Sequence, residues 1–245
     1  MLPLILYDIP SNVDEIFWSP NTARPGFVLG YKDLPFETEW IEFPDIAGRM
    51  KEIEAAPGSW PNGGLLYTLP VLRDPNTGAI ITDSWDIVVY LENTYPEKPI
   101  FPKDTKGLIR AYETGYFSQF WPPIEFLVLR SAEILRECSE EHYITTREKY
   151  FDKKLAEFSP EGPVRDQHWS SLEKAFSTTM SWYDKTDGRW FMGSTFSYAD
   201  IIVACQLNWL KKVLHDDEWR RIAAWRGGEW EEVLADVRRK CNIVQ

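Results

Sequence analysis

The chain opens on a short apolar run, Leu4-Ile5-Leu6-Tyr7, closed by Asp8 and Pro10. Such a run between turn formers is the pattern of a buried strand. A loop, IPSNVDEIFW, separates it from a segment starting at Ser19-Pro20, where a residue favoured at helix N-caps precedes proline at the first helical position. FETEWIEF, beginning at Phe36, alternates and predicts a second strand; GRMKEIEAA at 48–56 has helical spacing through Met50 and Ile53; PGSWPNGG at 57–64 reads as a loop. YTLPVLRD and AIITD, within 67–83, predict two strands around the turn PNTG. SWDIVVYLENTY at 84–95 puts Ile87, Val88, Leu91 and Tyr95 on one helical face and stops at Pro96. The first half is therefore β-α-β-α-β-β-α.

The next stretch, PEKPIFPK at 96–103, is rich in proline and predicts a linker. Beyond it the spacing predicts only helices, over roughly 104–121, 123–139, 141–158, 164–186, 198–214 and 229–240. In GSTFSYADI, Ser197 and Asp200 have the spacing of a capping box, which assigns Asp200 to local folding rather than catalysis. The expectation is two domains: a mixed α/β unit over 1–96 and an all-helical unit over 104–245. There is no internal repeat.

Composition narrows the classes of partner. A length of 245 residues with 44% hydrophobic content supplies a sizeable core, and a net charge of −11 argues against a nucleic-acid backbone or an anionic membrane surface. No window approaches the ~18 apolar residues of a membrane span, and no basic leader precedes the first strand. A cytoplasmic protein is expected. Cys138, Cys205 and Cys241 are odd in number and widely spaced, and His142, His168 and His215 lack ligand spacing, so neither disulfide framework nor metal is predicted. Twelve Trp, eleven Tyr and thirteen Phe imply either a dense core or an aromatic-lined pocket.

Three features of the first half belong together. Amides at the helix start after Ser19 favour an anion, so a thiolate beside the Ser19 hydroxyl is one reading and ordinary capping the other. Leu69-Pro70 places proline at the start of a strand that otherwise reads as central; a cis peptide bond there would turn the Leu69 backbone toward a ligand. Asp83-Ser84 closes a strand and opens a helix with Ser84 as its natural N-cap; Ser84 would hold a carboxylate and Asp83 an ammonium group. A ligand with an α-amino acid at one end and a thiol in its middle suits all three.

The element order, SPNT where thioredoxin-like folds carry a redox CxxC, TLPVL, DSWDIVVYLENTYP, the proline linker and GSTFSYADI together resemble a cytosolic glutathione transferase. LYDIPS, WSPNT, YKDLPFETEWIEFPDI and YTLPVLRDPNTG resemble the fungal etherase-related FuA class. The resemblance implies a thioredoxin-like N-terminal domain, an all-α C-terminal domain and glutathione as co-substrate. It implies that Ser19 donates to the thiolate with Asn21 as a second donor, that Leu69 pairs with the cysteinyl backbone beside cis-Pro70, and that Asp83 and Ser84 hold the γ-glutamyl end. Arg49 and Lys51 are the options for the glycyl carboxylate.

A hydrophobic aromatic substrate would sit between the halves, with Phe117, Phe120 and Trp121 as its wall before the helix break at Pro122-Pro123, and with Tyr7 either at the pocket or in packing. The family implies a homodimer. Three outcomes follow: a transferase acting on aromatic electrophiles or hydroperoxides, with aryl-ether cleavage in reach; a ligandin-type protein that binds polyphenols with little turnover; or a redox-inactive scaffold that keeps only the fold and binds no glutathione. ARPG at 23–26 departs from the pattern, because Pro25 inside a helix removes a backbone hydrogen bond and Gly26 weakens it further, which predicts a kink.

Overall fold

The N-terminal apolar run forms β1 (Leu4–Asp8), followed by α1 (Pro20–Tyr31), β2 (Phe36–Trp40), α2 (Ile46–Glu52), the two-residue strands β3 (Gly58–Ser59) and β4 (Leu65–Leu66), β5 (Val71–Asp74), β6 (Ala79–Thr82) and α3 (Ser84–Thr94). The computed structural model of the protein describes residues 1–13, 17–59 and 63–243. The first loop of the sequence reading, IPSNVDEIFW, lies partly outside the described residues, as does the middle of PGSWPNGG. The described flanks of the latter pair as the β3–β4 hairpin, in place of a plain loop.

The main sheet has the order β2-β1-β5-β6, with β1 and β2 parallel and the other neighbours antiparallel. Tyr7 pairs with Val71 and Val71 with Thr82, so the end of β1, the start of β5 and the end of β6 lie side by side. Alternation then sets the faces. Asp8 faces α1, where the Thr22 hydroxyl meets its carboxyl, and Tyr7 faces α2, whose Arg49 guanidinium lies 5.9 Å from its ring centroid.

The helical half comprises α4 (Lys106–Phe120), α5 (Ile124–Ala132), α6 (Glu137–Phe151), α7 (Pro163–Tyr183), α8 (Tyr198–Val213), α9 (Asp216–Ala223) and α10 (Glu229–Lys240). Its centre is α8, buried continuously from Tyr198 to Leu210, as a helix with apolar residues on every side must be. The capping box at its start is present: the Asp200 carboxylate accepts from Ser197 N at 2.9 Å, and also from Phe191 N at 2.7 Å and the Tyr183 hydroxyl at 3.1 Å. Burial pushes the Asp200 carboxyl up to about 6 despite these donors.

Three expectations change. The helices drawn over 123–139 and 141–158 divide instead at 133–136, because Asn12 of the first half takes the Ile134 and Leu135 carbonyls, each at 2.8 Å. Helix α9 was not expected; its acids lie in the first turn and its arginines in the last, which suits a helix dipole even over a short length. Helix α1 runs uninterrupted through Pro25, held by burial of every residue from Thr22 to Leu29, more than two turns and so all sides of the helix. Gly26 has a steric reason of its own: a Cβ there would fall 2.4 Å from the ring of Phe17, which packs flat against the helix.

The proline-rich segment is fixed by a buried cation. Lys32 donates to the carbonyls of Tyr95 at 2.9 Å and Glu97 at 3.1 Å and pairs with Glu92 at 2.7 Å, while Glu92 accepts from Ile100 N at 3.1 Å. The halves also meet at this C-terminal end of α1. Gly30 approaches the Cys241 carbonyl so closely that a Cβ would sit 2.0 Å from it, and Asn242 donates to the Gly30 carbonyl at 3.1 Å.

Candidate functional site

The register of β1, β5 and β6 gathers the sequence features at one end of the sheet. Trp18 begins the approach: its indole N–H donates to the Ile9 carbonyl at 2.9 Å, and the Asn208 amide of α8 donates to the Phe17 carbonyl at 2.7 Å. These bonds deliver Ser19 to the N-cap of α1, where its Oγ accepts from Asn21 N at a long 3.3 Å. Ser19 is buried, and its hydroxyl hydrogen has no acceptor among the described residues. A donor held at a helix N-terminus with its proton unspent is suited to an anion.

The Leu69-Pro70 peptide is cis. It precedes Val71 directly, so it lies beside the ends of β1 and β6. Leu69 is buried, yet its backbone N–H and C=O have no partner among the described residues. Since buried backbone groups are paired in nearly all native structures, an extended peptide-like ligand is the natural complement.

At β6 the order of roles is reversed from the sequence reading. Asp83, not Ser84, is the N-cap of α3, its carboxylate accepting from Trp85 N at 2.8 Å, and Ser84 is the first helical residue. The reason is backbone geometry: Asp83 has φ 79, a left-handed conformation that costs a non-glycine residue energy and marks a constrained position. The turn leaves the Asp83 carboxylate exposed and buries Ser84, whose hydroxyl has no partner among the described residues.

The remaining residues divide. Lys51 of α2 lies 5.5 Å from the ring centroid of Tyr67, two residues before Leu69, which keeps its ammonium near this end. Arg49 is committed elsewhere, bound to Glu39 through Nε at 2.6 Å and to Glu52 at 3.1 Å, and these partners hold its guanidinium firmly charged. Tyr7 is buried on the α2 face of the sheet, opposite Ser19, so it is not brought to the site, and burial raises its phenol. Phe117 lies at the boundary of the halves under the Arg24 guanidinium, 4.8 Å from the ring centroid. Phe120 turns inward onto Phe176, and Trp121, 56% exposed, leans on Phe151. The expected aromatic wall therefore reduces to Phe117: the i, i+3, i+4 spacing would allow the three rings one face, but Phe120 is packed into the core on Phe176 and Trp121 is held against Phe151.

Sequence reasoning missed Arg24 and Glu113. Both are buried and pair across the two halves at 2.8 Å. Burial would lower the Arg24 pKa, but the groups facing it, with the ionised and hydrogen-bonded Glu113 carboxylate among them, outweigh burial and keep the guanidinium charged. A charged residue inside the buried stretch of α1 was the available signal, although its partner 89 positions away was not readable.

No metal-ligating cluster and no helix long and apolar enough to cross a membrane is found among the described residues. Residues 18–94 match the family model for the glutathione S-transferase N-terminal domain, and 107–239 match that for the glutathione S-transferase C-terminal domain. A glutathione S-transferase of Ceriporiopsis subvermispora, crystallised with glutathione, is 36% identical with a TM-score of 0.89 over 97% of this chain and 99% of its own. Glutathione transferase GSTFuA3 from Phanerochaete chrysosporium is 32% identical with a TM-score of 0.87 over 100% of this chain and 99% of its own. The glutathione S-transferase-like protein ustS of Aspergillus flavus is 28% identical over 93% of this chain and 87% of its length.

Proposed function

The chain belongs to the glutathione transferase family and is similar to its fungal FuA members, and on that premise we propose that it binds glutathione at this end of the sheet and joins its sulfur to hydrophobic aromatic electrophiles. What glutathione supplies when bound is a thiol whose ionised form is the nucleophile. The chain's own residues hold that ionised form. Ser19 donates its hydroxyl hydrogen and α1 turns its first amides toward the sulfur; lowering a thiol from ~8.5 by ~2 pH units needs about 2.7 kcal/mol of preference for the anion.

Leu69 offers its free N–H and C=O to the cysteinyl backbone, Asp83 its exposed carboxylate to the γ-glutamyl ammonium, and Ser84 its hydroxyl to the γ-glutamyl carboxylate. Lys51 is assigned to the glycyl carboxylate in preference to Arg49, whose ion pairs occupy it. The single observation that carries the reading is the gathering of three unspent groups, on Ser19, Leu69 and Ser84, at adjoining strand ends.

Serine cannot form a mixed disulfide, which favours attack on carbon, including the carbon of an aryl ether, or on a hydroperoxide, over thiol exchange. Phe117 is the proposed edge of the second-substrate site. We assign the working form to a homodimer, to be read by light scattering.

Calorimetric titration with glutathione tests the site: wild type binds, and Ser84→Ala binds at least tenfold more weakly. Turnover tests the chemistry: Ser19→Ala loses about 100-fold in kcat/KM toward an aromatic halide, the scale set by removing one donor from a charge-stabilising site. An unchanged low rate with intact binding of phenolic compounds would replace the transferase by a ligandin-type carrier.

A further inference from the structure

The Arg24 guanidinium has every nitrogen engaged. Nε donates to the Pro20 carbonyl at 3.1 Å, Nη1 to Glu113 Oε1 at 2.8 Å, and Nη2 to the Asn21 side-chain oxygen. Glu113 stands on α4 in the helical half, 2% exposed, and its second oxygen accepts from Arg110. The Arg110 guanidinium lies 4.7 Å from the Trp85 ring centroid, in the first turn of α3 beside Ser84. One string of contacts, Asn21–Arg24–Glu113–Arg110–Trp85, thus joins the starts of α1 and α3 through a carboxylate of the other half.

The string has a chemical consequence for Asn21. A guanidinium carries N–H donors and no acceptor, so the amide facing it must present its oxygen. The Asn21 Nδ2 then becomes the outer edge, and it has no partner among the described residues. Asn21 is exposed and stands two residues beyond Ser19. We infer that Arg24, held by Glu113, is a positioning residue that fixes the Asn21 amide with its donor edge toward the sulfur of bound glutathione, so that the helical half sets the acidity of the thiol. The inference rests on the reading given under Proposed function.

The groups facing Arg24 are Pro20 and Asn21 of α1, Glu113 and Phe117 of α4, and Tyr198 and Cys205 of α8. Burial raises the phenol and the thiol of the last two, so both stay neutral and Glu113 supplies the balancing charge.

The test is the ultraviolet absorbance of the bound thiolate, followed against pH. Arg24→Lys keeps the charge, but one ammonium cannot replace a planar fork that serves three acceptors. Asn21→Ala and Arg24→Lys should each move the thiol's midpoint about one pH unit higher, a tenfold change in ionisation. Their combination should move it no further, while the calorimetric Kd for glutathione, measured below the wild-type midpoint where the bound thiol is protonated, changes less than threefold. A midpoint unmoved in Arg24→Lys, or a double variant equal to the sum of the singles, overturns the inference alone. A wild type that leaves the midpoint where free glutathione has it overturns the reading beneath as well, and does so before any variant is made. If Arg24→Lys does not fold, the volume-conserving Glu113→Gln carries the test: its midpoint must rise, and that rise must vanish in the Asn21→Ala background.

Discussion

Helices α1 and α8 both begin on a buried serine, and the two starts are finished differently. At α8, Asp200 stands three residues after Ser197 and collects donors from Ser197, Phe191 and Tyr183. At α1, Thr22 occupies the place of that acid, Ser19 Oγ accepts one long bond, and its hydrogen is unspent. The acid near α1 is Asp8, which accepts from Ile9 N at 2.7 Å and leaves Oδ2 buried without a partner among the described residues. Where every group is paired, the cap holds the fold together. Where groups are left over, the cap keeps a donor free for a ligand.

The largest effect that sharpens this contrast concerns Asp8. Burial pushes its carboxyl from 3.8 up to about 7, against the Thr22 and Ile9 donors. A raised folded-state value means stability fully present below pH ~4 and lost as pH rises through about 7. At ~1.36 kcal/mol per pH unit, wild type should lose up to about 4 kcal/mol relative to Asp8→Asn across that window and run parallel to it above. Urea titrations at a series of pH values measure this; parallel curves throughout would erase the difference between the two acids.

Next in size is Asp200→Ala, which strands the Ser197 and Phe191 amides and should cost about 3 kcal/mol in chemical denaturation while leaving the thiol's midpoint alone. Gly26→Ala follows at about 2 kcal/mol, because the new Cβ must displace the Phe17 ring, with melting temperature as the readout. The smallest is Ser19→Ala: its loss of stability should stay under about 1 kcal/mol while turnover collapses, since its oxygen holds only one weak cap bond. A loss as large as that of Asp200→Ala would make the α1 cap structural after all.

The parts of this molecule written in local pattern were legible in its sequence. Residues 4–7 and the Ile87-Val88-Leu91 face declare their elements by periodicity, and Ser19, Pro70, Asp83 and Ser84 stand out because caps and prolines are chosen by backbone chemistry at single positions. What was not legible depends on residues distant in the chain. The break at 133–136 is fixed by Asn12, the tolerance of Pro25-Gly26 by Phe17, and the Arg24–Glu113 pair by the meeting of two halves. Aspartate and serine cap helices equally well, so residue type does not choose between Asp83 and Ser84; the positive φ at Asp83 makes it the cap.

The closure of Cys241 and Asn242 over Gly30 bears on how the chain leaves the ribosome. A nascent chain that has released all four strands of the main sheet still lacks α8, which covers one side of α1, and the segment at 241–243, which seals its end. The N-terminal half therefore waits, with one side of α1 uncovered, through the synthesis of about 160 further residues. Until the last turn of α10 emerges, that uncovered face is the part of the nascent chain most exposed to aggregation.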